Sequence, residues 1–304
     1  MSKKYKSLNL LISFSLCILI LLTYQLLIWL GALPASDGIH QQEKNLIKLE
    51  HFVYDNQIKD KIVFVGSSLT DNIPTNLTDF NAVNLGMSGG CAQTGLEIIK
   101  ITKSRPNLVF VEISDTIDRG INREFVSYFD NQLSYFSRLY LPMLRAQYRP
   151  VSIFVSYLQK HKNSQADTLN IKDEETNKQS SLEKLIIQRI VDTNQRDLDD
   201  KEINLFNHQA QIIQNQILSL KNNGIRVILY RVPLDPSLDN TIRQQQIQKM
   251  LKSFFPENKY EWMPEFSTED WQTYDGTHLK TESAKKYADY LKKTIINQGY
   301  LSSN

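Results

Sequence analysis

One long uncharged apolar segment lies near the N-terminus, and the rest of the chain alternates short apolar runs with longer polar stretches. No residue between Leu8 and Leu30 is charged. About 20 apolar residues are enough to cross the hydrocarbon core of a bilayer as a helix. The uncharged polar residues of the segment are compatible with a helix whose backbone groups bond internally. The pattern therefore predicts a transmembrane anchor over residues 8–30.

The flanks of the anchor predict its orientation. Lys3, Lys4 and Lys6 precede it and are expected to stay in the cytoplasm, so the chain after the anchor would lie outside. Small residues at Ala32 and Ala35 leave a cleaved secretory signal as the alternative, but the apolar part of a signal is usually only about 7 to 15 residues long. We expect an uncleaved anchor, and both interpretations place the body of the protein outside the cytoplasm.

Four short apolar runs in the body, each ended by Gly, Ser or Pro, have the pattern of buried strands. They are residues 61–66, 82–86, 108–114 and 225–233. Continuous apolar runs suit strands that are covered on both faces. Between the second and third runs, residues 95–104 have helical spacing and are stopped by Pro106. Strands that alternate with helices predict an α/β fold with a parallel sheet.

The pattern divides the chain into four consecutive regions. These are a basic N-terminus over residues 1–7, the anchor over 8–30, a stalk and first helix over 31–57, and a domain over 58–304. The first helix is expected at about residues 41–56. A polar helical insertion is expected within the domain, at about residues 155–205.

The insertion and the segments after it contain further predicted helices. Residues 161–181 are the most polar part, and we interpret them as a solvent-exposed connection. Helices are expected at about 182–193 and 201–222, the second ended by Asn223-Gly224 in the manner of a helix C-cap. Residues 281–296 predict a terminal helix.

Composition and charge narrow the possible functions. The chain has 35 Lys and Arg against 33 Asp and Glu, for a net charge of +2. Three of the lysines lie in the N-terminus, so the rest of the chain has a net charge of about −1. A body without excess positive charge is not suited to nucleic acid, and we do not expect a nucleic-acid partner. The two cysteines, Cys17 in the anchor and Cys91 in the body, provide no disulfide framework for the exported domain.

Two motifs carry candidate chemistry. Ser68 follows the first predicted strand in the sequence Gly-Ser-Ser-Leu-Thr, at the strand end where ligands bind in open α/β sheets. Asp275 and His278 form a DxxH pair in a Gly-containing turn, in which the carboxylate can hold one ring nitrogen while the other faces a serine hydroxyl. His40, His51, His161 and His208 are expected to be surface or core residues. No HExxH or CxxC grouping occurs, so we expect neither a metal nor a cofactor.

These motifs resemble the SGNH, or GDSL-type, hydrolase superfamily. Its first block is matched by Gly66 to Leu69, with Ser67 in place of the usual aspartate and Ser68 as the implied nucleophile. Its second block resembles residues 84–89, where Gly89 would be a backbone donor to an oxyanion. The DxxH pair matches its last block.

The resemblance implies a flavodoxin-like three-layer α/β/α sandwich and a serine mechanism. His278 would act as the general base, Asp275 would orient it, and the Ser68 N–H would join Gly89 in the oxyanion hole. The third block departs from the family pattern, because residues 112–116 lack the asparagine that donates to the oxyanion. Ser114 or Thr116 could supply a hydroxyl instead, whereas an ionised Asp115 would oppose the developing charge.

Location and resemblance together suggest a substrate class. Relatives with one anchor and a similar domain look like proteins that add or remove O-acyl groups on exported polysaccharide. The expected function is therefore a membrane-anchored serine esterase or O-acyltransferase of surface glycans, with a multispanning acyl-donor membrane protein as a possible partner. A lysophospholipase-like lipid esterase and a non-catalytic glycan-binding or assembly protein are the alternatives.

Overall fold

The computed structural model describes residues 2–54, 62–74, 82–102, 105–166, 174–266 and 271–300, with the side chains of residues 2–7 and 160–180 outside this description. The chain forms two compact units. The smaller unit comprises Met1–Tyr54 and Asp130–Leu169, and the larger comprises Asp55–Phe129 and Asn170–Asn304. The predicted boundary at residues 57 and 58 lies outside the described residues.

A five-stranded, wholly parallel sheet forms the centre of the larger unit. Its strands are β1 (Ile62–Gly66), β2 (Ala82–Gly86), β3 (Leu108–Glu112), β4 (Arg226–Tyr230) and β5 (Glu261–Trp262). The strand order is β2-β1-β3-β4-β5. This is the flavodoxin-like order, in which the chain reverses its direction of winding between β1 and β3. β1 and β3 are buried throughout, as their continuous apolar runs predict.

The helices of the larger unit follow the strands. They are α3 (Ser68–Asp71), α4 (Ala92–Ile101), α5 (Arg123–Asp130), α8 (Glu174–Asn194), α9 (Asp200–Asn222), α10 (Pro236–Asp239), α11 (Ile242–Phe254) and α12 (Thr281–Asn297). A 3-10 helix over Asp115–Arg119 follows β3. Asn223 ends α9, and Gly224 has a φ of +79°, as the predicted C-cap requires.

Helices cover both faces of the sheet. Phe64 and Phe110 stack at 4.8 Å in one apolar cluster that includes Tyr287 and Leu291 of α12. Because successive side chains of a strand point to opposite faces, Val65 lies on the other side. There Gly95 of α4 packs so closely that a Cβ on it would lie 2.9 Å from Val65 Cγ1. The predicted three-layer α/β fold is confirmed.

Two features of the secondary structure differ from the prediction. Residues 161–166 end α7 (Pro150–Ala166) and residues 174–181 belong to α8, so the interpretation of residues 161–181 as a connection is wrong there. The stretch lacks Gly and Pro, the two residues that disfavour a helix most strongly, so its polarity does not prevent helix formation. β5 was not predicted, because two residues are too few to form an apolar run.

The smaller unit is helical. It contains α1 (Ser2–Trp29), α2 (Gln41–Tyr54), α6 (Gln132–Tyr140) and α7, with 3-10 turns at Pro142–Leu144 and Ala146–Tyr148. In α1 the segment Leu8–Trp29 is 22 residues long, has a mean hydropathy of 2.4 and is only 11% buried. It is long and apolar enough to cross a membrane. A signal sequence would have the same properties.

Candidate active site

β1 leads directly into a short helix that begins at Ser68. Ser67 has an extended backbone, with φ −91° and ψ −160°, and its Oγ accepts the N–H of Leu69 at 3.1 Å. This side-chain cap satisfies one of the N–H groups that the first turn of a helix leaves free. Ser68 is half-buried and lies two residues after the end of β1, at the switch point of the sheet. The local sequence thus places a serine hydroxyl where ligands bind in this fold class.

A buried carboxylate accepts hydrogen bonds from the residues of this turn. Glu112, the last residue of β3, is 1% exposed. Its Oε2 accepts the N–H groups of Ser67 at 2.9 Å and Thr70 at 3.2 Å, and its Oε1 accepts the Ser67 hydroxyl at 2.8 Å. The Thr70 hydroxyl also donates to Oε2, so the buried Tyr230 hydroxyl must donate to Thr70. A Cβ on Gly66 would lie 2.4 Å from Oε2, which explains the glycine that precedes the two serines.

Asp275 and His278 lie in one tight turn before α12. Asp275 Oδ1 accepts the N–H groups of Thr277 at 3.0 Å and His278 at 2.8 Å. Gly276 has a φ of +89°, a left-handed conformation that glycine adopts without strain. The Tyr274 N–H closes the turn by donating to the His278 carbonyl at 2.9 Å. These contacts are local, and they orient the carboxylate towards the imidazole.

The structure brings Ser68, His278 and Asp275 into one hydrogen-bonded chain. His278 Nδ1 lies 2.6 Å from Asp275 Oδ2, and His278 Nε2 lies 2.9 Å from Ser68 Oγ. An ionised carboxylate only accepts hydrogen bonds, so Nδ1 carries the ring proton and Nε2 is left to accept the serine proton. This arrangement has the geometry of a Ser-His-Asp triad.

The electrostatics of the pair suit a general base. Partial burial disfavours ionisation of Asp275, but the hydrogen bonds from His278 and from the Thr277 N–H outweigh it and hold the pKa of Asp275 well below its usual range. The hydrogen bond to Asp275 raises the pKa of His278, while partial burial and the nearby Arg119 oppose that rise. Asp275 therefore stabilises the imidazolium that forms when His278 takes a proton.

The second sequence block is hydrogen-bonded to α3, the helix that begins at Ser68. Asn84 Nδ2 donates to the Thr70 carbonyl at 2.7 Å, and the Ser88 hydroxyl donates to Asp71 Oδ2 at 2.6 Å. Gly89 follows with a φ of +71°, again a conformation that favours glycine. These bonds hold the Gly89 loop beside α3. The oxyanion roles of the Gly89 and Ser68 N–H groups remain predictions.

The hydroxyl groups of the third block are hydrogen-bonded to Glu112 and to each other. The Ser114 hydroxyl donates to Glu112 Oε1 at 2.7 Å, so the 2.8 Å contact between Ser114 and Thr116 requires the Thr116 hydroxyl to donate to Ser114. In this arrangement neither hydroxyl has a proton left for an oxyanion. Asp115 accepts from Gln244 of α11 at 3.2 Å, and that contact directs its carboxylate towards α11. The predicted oxyanion donors are therefore the backbone N–H groups of Ser68 and Gly89.

The motif analysis missed Glu112 and Arg119. A glutamate that closes the apolar run Leu-Val-Phe-Val is a signal for a buried, paired carboxylate, since a charge at such a position needs partners. Arg119 is exposed and donates to the Gly90 carbonyl at 3.3 Å, which holds a cation close to His278. Among the residues that the structure describes, no group of three or more His, Cys, Asp or Glu side chains could hold a metal ion.

Comparison with known proteins gives only distant likenesses. No protein-family model and no curated protein matches the chain. A protein of Bacteroides fragilis NCTC 9343, provisionally described as an acylhydrolase, is 14% identical, covers 85% of this chain and 94% of its own, and has a TM-score of 0.39. A protein of Streptococcus pneumoniae, provisionally described as a platelet activating factor, is 14% identical, covers 93% and 98%, and has a TM-score of 0.40. At this level of similarity neither structure supports a conclusion about the function of this chain.

Proposed function

We propose that the protein is a membrane-anchored, extracytoplasmic serine esterase or O-acyltransferase that acts on acyl groups of cell-surface polysaccharide. The observation that carries the proposal is the hydrogen-bonded chain from Ser68 Oγ through His278 to Asp275, at 2.9 Å and 2.6 Å. Capping explains a serine beside a turn, but it does not explain an imidazole that bonds the serine on one side and a carboxylate on the other.

The first half of the reaction forms an acyl-enzyme. Ser68 Oγ attacks the carbonyl carbon of the ester while His278 Nε2 takes the hydroxyl proton. The N–H groups of Ser68 and Gly89 stabilise the tetrahedral oxyanion. Collapse of the intermediate breaks the ester C–O bond, and His278 returns the proton to the departing alcohol.

The second half transfers the acyl group. Water or a sugar hydroxyl loses its proton to His278 and attacks the acyl carbon. The intermediate then releases Ser68, which recovers the proton from His278. Water gives hydrolysis and a sugar hydroxyl gives transfer, so the acceptor that enters the site decides between an esterase and an acyltransferase.

The proposed location depends on α1. Its apolar segment is mostly exposed in the folded chain, which argues against a core helix. Lys3, Lys4 and Lys6 favour a cytoplasmic N-terminus, and with that orientation the serine site would lie outside. A tethered enzyme there meets surface polymers first, and a multispanning membrane protein that supplies acyl groups would be a suitable partner.

One observation favours a lipid esterase as a second candidate. A cavity of about 300 Å³ is lined by apolar side chains that include Leu234, Phe255, Met263 and Phe266, together with five charged residues. Asp235, which follows Leu234, donates its backbone N–H to the Gly276 carbonyl at 2.9 Å. The cavity wall is therefore joined to the turn that carries His278. A long acyl chain would suit such a cavity.

The test uses the full-length protein in detergent micelles. Labelling by a fluorophosphonate probe and hydrolysis of p-nitrophenyl acetate are measured in the wild type, Ser68→Ala and His278→Ala. Ser127→Ala and His208→Ala are matched controls, because both of these residues are exposed. We expect labelling and turnover to vanish in the first pair and persist in the second. A folded wild type that shows neither would favour a non-catalytic glycan-binding protein.

A series of p-nitrophenyl esters separates the two enzyme candidates. A glycan-directed enzyme should prefer acetyl esters, with kcat/KM falling as the acyl chain lengthens. A lipid esterase should show the opposite trend. Addition of an oligosaccharide acceptor, with mass spectrometry of the products, then distinguishes transfer from hydrolysis.

A further inference from the structure

The smaller unit exposes an apolar surface on α6, α7 and the turns between them. Six of its side chains are Leu133, Tyr140, Leu144, Val151, Phe154 and Tyr157, which are 43% to 78% exposed. Monomeric soluble proteins seldom expose apolar side chains in such concentration, and a surface of this kind usually marks a partner or a membrane.

Two hydrogen bonds join this surface to α1. The Met143 N–H donates to Gln25 Oε1 at 3.1 Å, and the Tyr24 hydroxyl donates to the Tyr148 carbonyl at 2.5 Å. At 1.5 Å per residue, Gln25 lies about 6 Å before the end of α1 at Trp29. The turns between α6 and α7 therefore contact α1 inside its apolar segment, and a bilayer around that segment would reach them.

One of these turns and the first turn of α7 are fixed to α2 by buried carboxylates. Glu50 Oε2 accepts the Ala146 N–H at 2.8 Å, and Glu43 Oε1 accepts the Ser152 hydroxyl at 2.5 Å. Both glutamates are almost fully buried. Carboxylates paired in this way keep the turns in one position. The depth of α1 in a bilayer would therefore set the depth of α6 and α7.

The charge of the segment suits a lipid surface. Residues 131–158 contain Arg138, Arg145 and Arg149 and no Asp or Glu. Arg149 lies 3.9 Å from the buried Glu43 carboxylate of α2 and is half-exposed, so part of its charge is balanced within the unit. Basic, aromatic-rich helices bind at the boundary between lipid headgroups and acyl chains. We propose that α6 and α7 lie in the outer headgroup region of the bilayer that α1 spans, with lipid as the partner of their apolar surface. This inference rests on the membrane anchor of the proposed function.

Depth measurements on the full-length protein in vesicles of phosphatidylcholine and phosphatidylglycerol test the proposal. An environment-sensitive fluorophore is attached at Leu133→Cys or Phe154→Cys in a Cys17→Ser background. Leu218→Cys on α9 is the matched control, since Leu218 is 56% exposed. The native Cys17, labelled in the unmodified chain, reports on the anchor itself. Cys91 is buried, which raises the pKa of its thiol to about 11 and leaves it unreactive.

Nitroxide groups on the lipid chains quench fluorophores that lie within the bilayer. Insertion of about 5–10 Å should cost roughly half of the emission at positions 133 and 154, with little loss at 218. Emission at 133 and 154 that matches 218, while Cys17 is quenched, would overturn the inference and leave the anchor intact. If Cys17 is also unquenched, both proposals fail. A blue shift without quenching would mean that a protein covers the surface, and the lipid proposal would be wrong.

Discussion

The two halves of the candidate site are held in opposite ways. Asp275 and His278 are three residues apart and are oriented by contacts within their own turn. The segment around Ser68 is instead held by residues that are distant in the sequence. Glu112 bonds Ser67 from 45 residues away, and Tyr230 bonds Thr70 from 160 residues away. His278 and Asp275 thus form a local unit, whereas the position of Ser68 depends on the assembled sheet. Damage to the sheet should displace the serine before it displaces the histidine pair.

The largest effects should come from the reacting groups, and they should not add. We expect Ser68→Ala or His278→Ala to lower kcat by about 10⁶-fold, because the first variant lacks the nucleophile and the second lacks the base that activates it. The double variant should be no slower than either single one. Steady-state kinetics with p-nitrophenyl acetate and thermal unfolding of each variant measure this. Losses that multiply in the double variant would show that the two residues act independently.

Asp275→Asn tests the local half alone. The amide keeps the shape of the side chain but no longer stabilises the imidazolium, so kcat should fall by about 10⁴-fold. The melting temperature should change little, because the turn contacts of the Oδ1 atom can persist. Activity close to wild type would show that the 2.6 Å contact between Asp275 and His278 has no catalytic role.

Glu112→Gln tests the long-range half. An amide group supplies one acceptor oxygen where the carboxylate supplies two, so some of the buried donors from Ser67, Thr70 and Ser114 lose their partner. We expect the free energy of unfolding to fall by about 1–3 kcal/mol, with a lower kcat in the variant that remains folded. Urea unfolding and kinetics are compared with Glu124→Gln, an exposed control. Equal behaviour of the two variants would contradict the proposed role of Glu112.

The smallest effect concerns pH. His278 must be neutral to accept a proton, and Asp275 raises its pKa, so kcat/KM should fall as pH drops through a value above the ordinary histidine pKa of about 6.5. Arg119→Gln removes a cation that opposes this rise and should move the acidic limb to still higher pH. Profiles of kcat/KM between pH 5 and 9 measure the acidic limb of the wild type and that of the variant. An acidic limb below the ordinary value would be inconsistent with the pairing.

The same contrast explains what could be predicted from the sequence. The four apolar runs predicted β1 to β4, because strands covered on both faces need continuous apolar residues. The DxxH turn was visible for a similar reason, since its contacts lie within four residues. The Glu112 network joins residues from three strand ends, and no local pattern shows which donors a buried carboxylate will meet. Helical residues 161–166 and 174–181 were missed because their polarity was taken as a sign of a connection.

The separation of Ser68 from His278, 210 residues along the chain, also has a consequence in time. At about 5–20 residues per second, a ribosome completes the serine roughly 10 to 40 seconds before it completes the histidine. Throughout that interval the Ser68 hydroxyl lacks its histidine partner, so the proposed acyl transfer cannot take place on the nascent chain. The proposed activity would begin only when the turn that carries Asp275 and His278 has been synthesised and has docked beside Ser68.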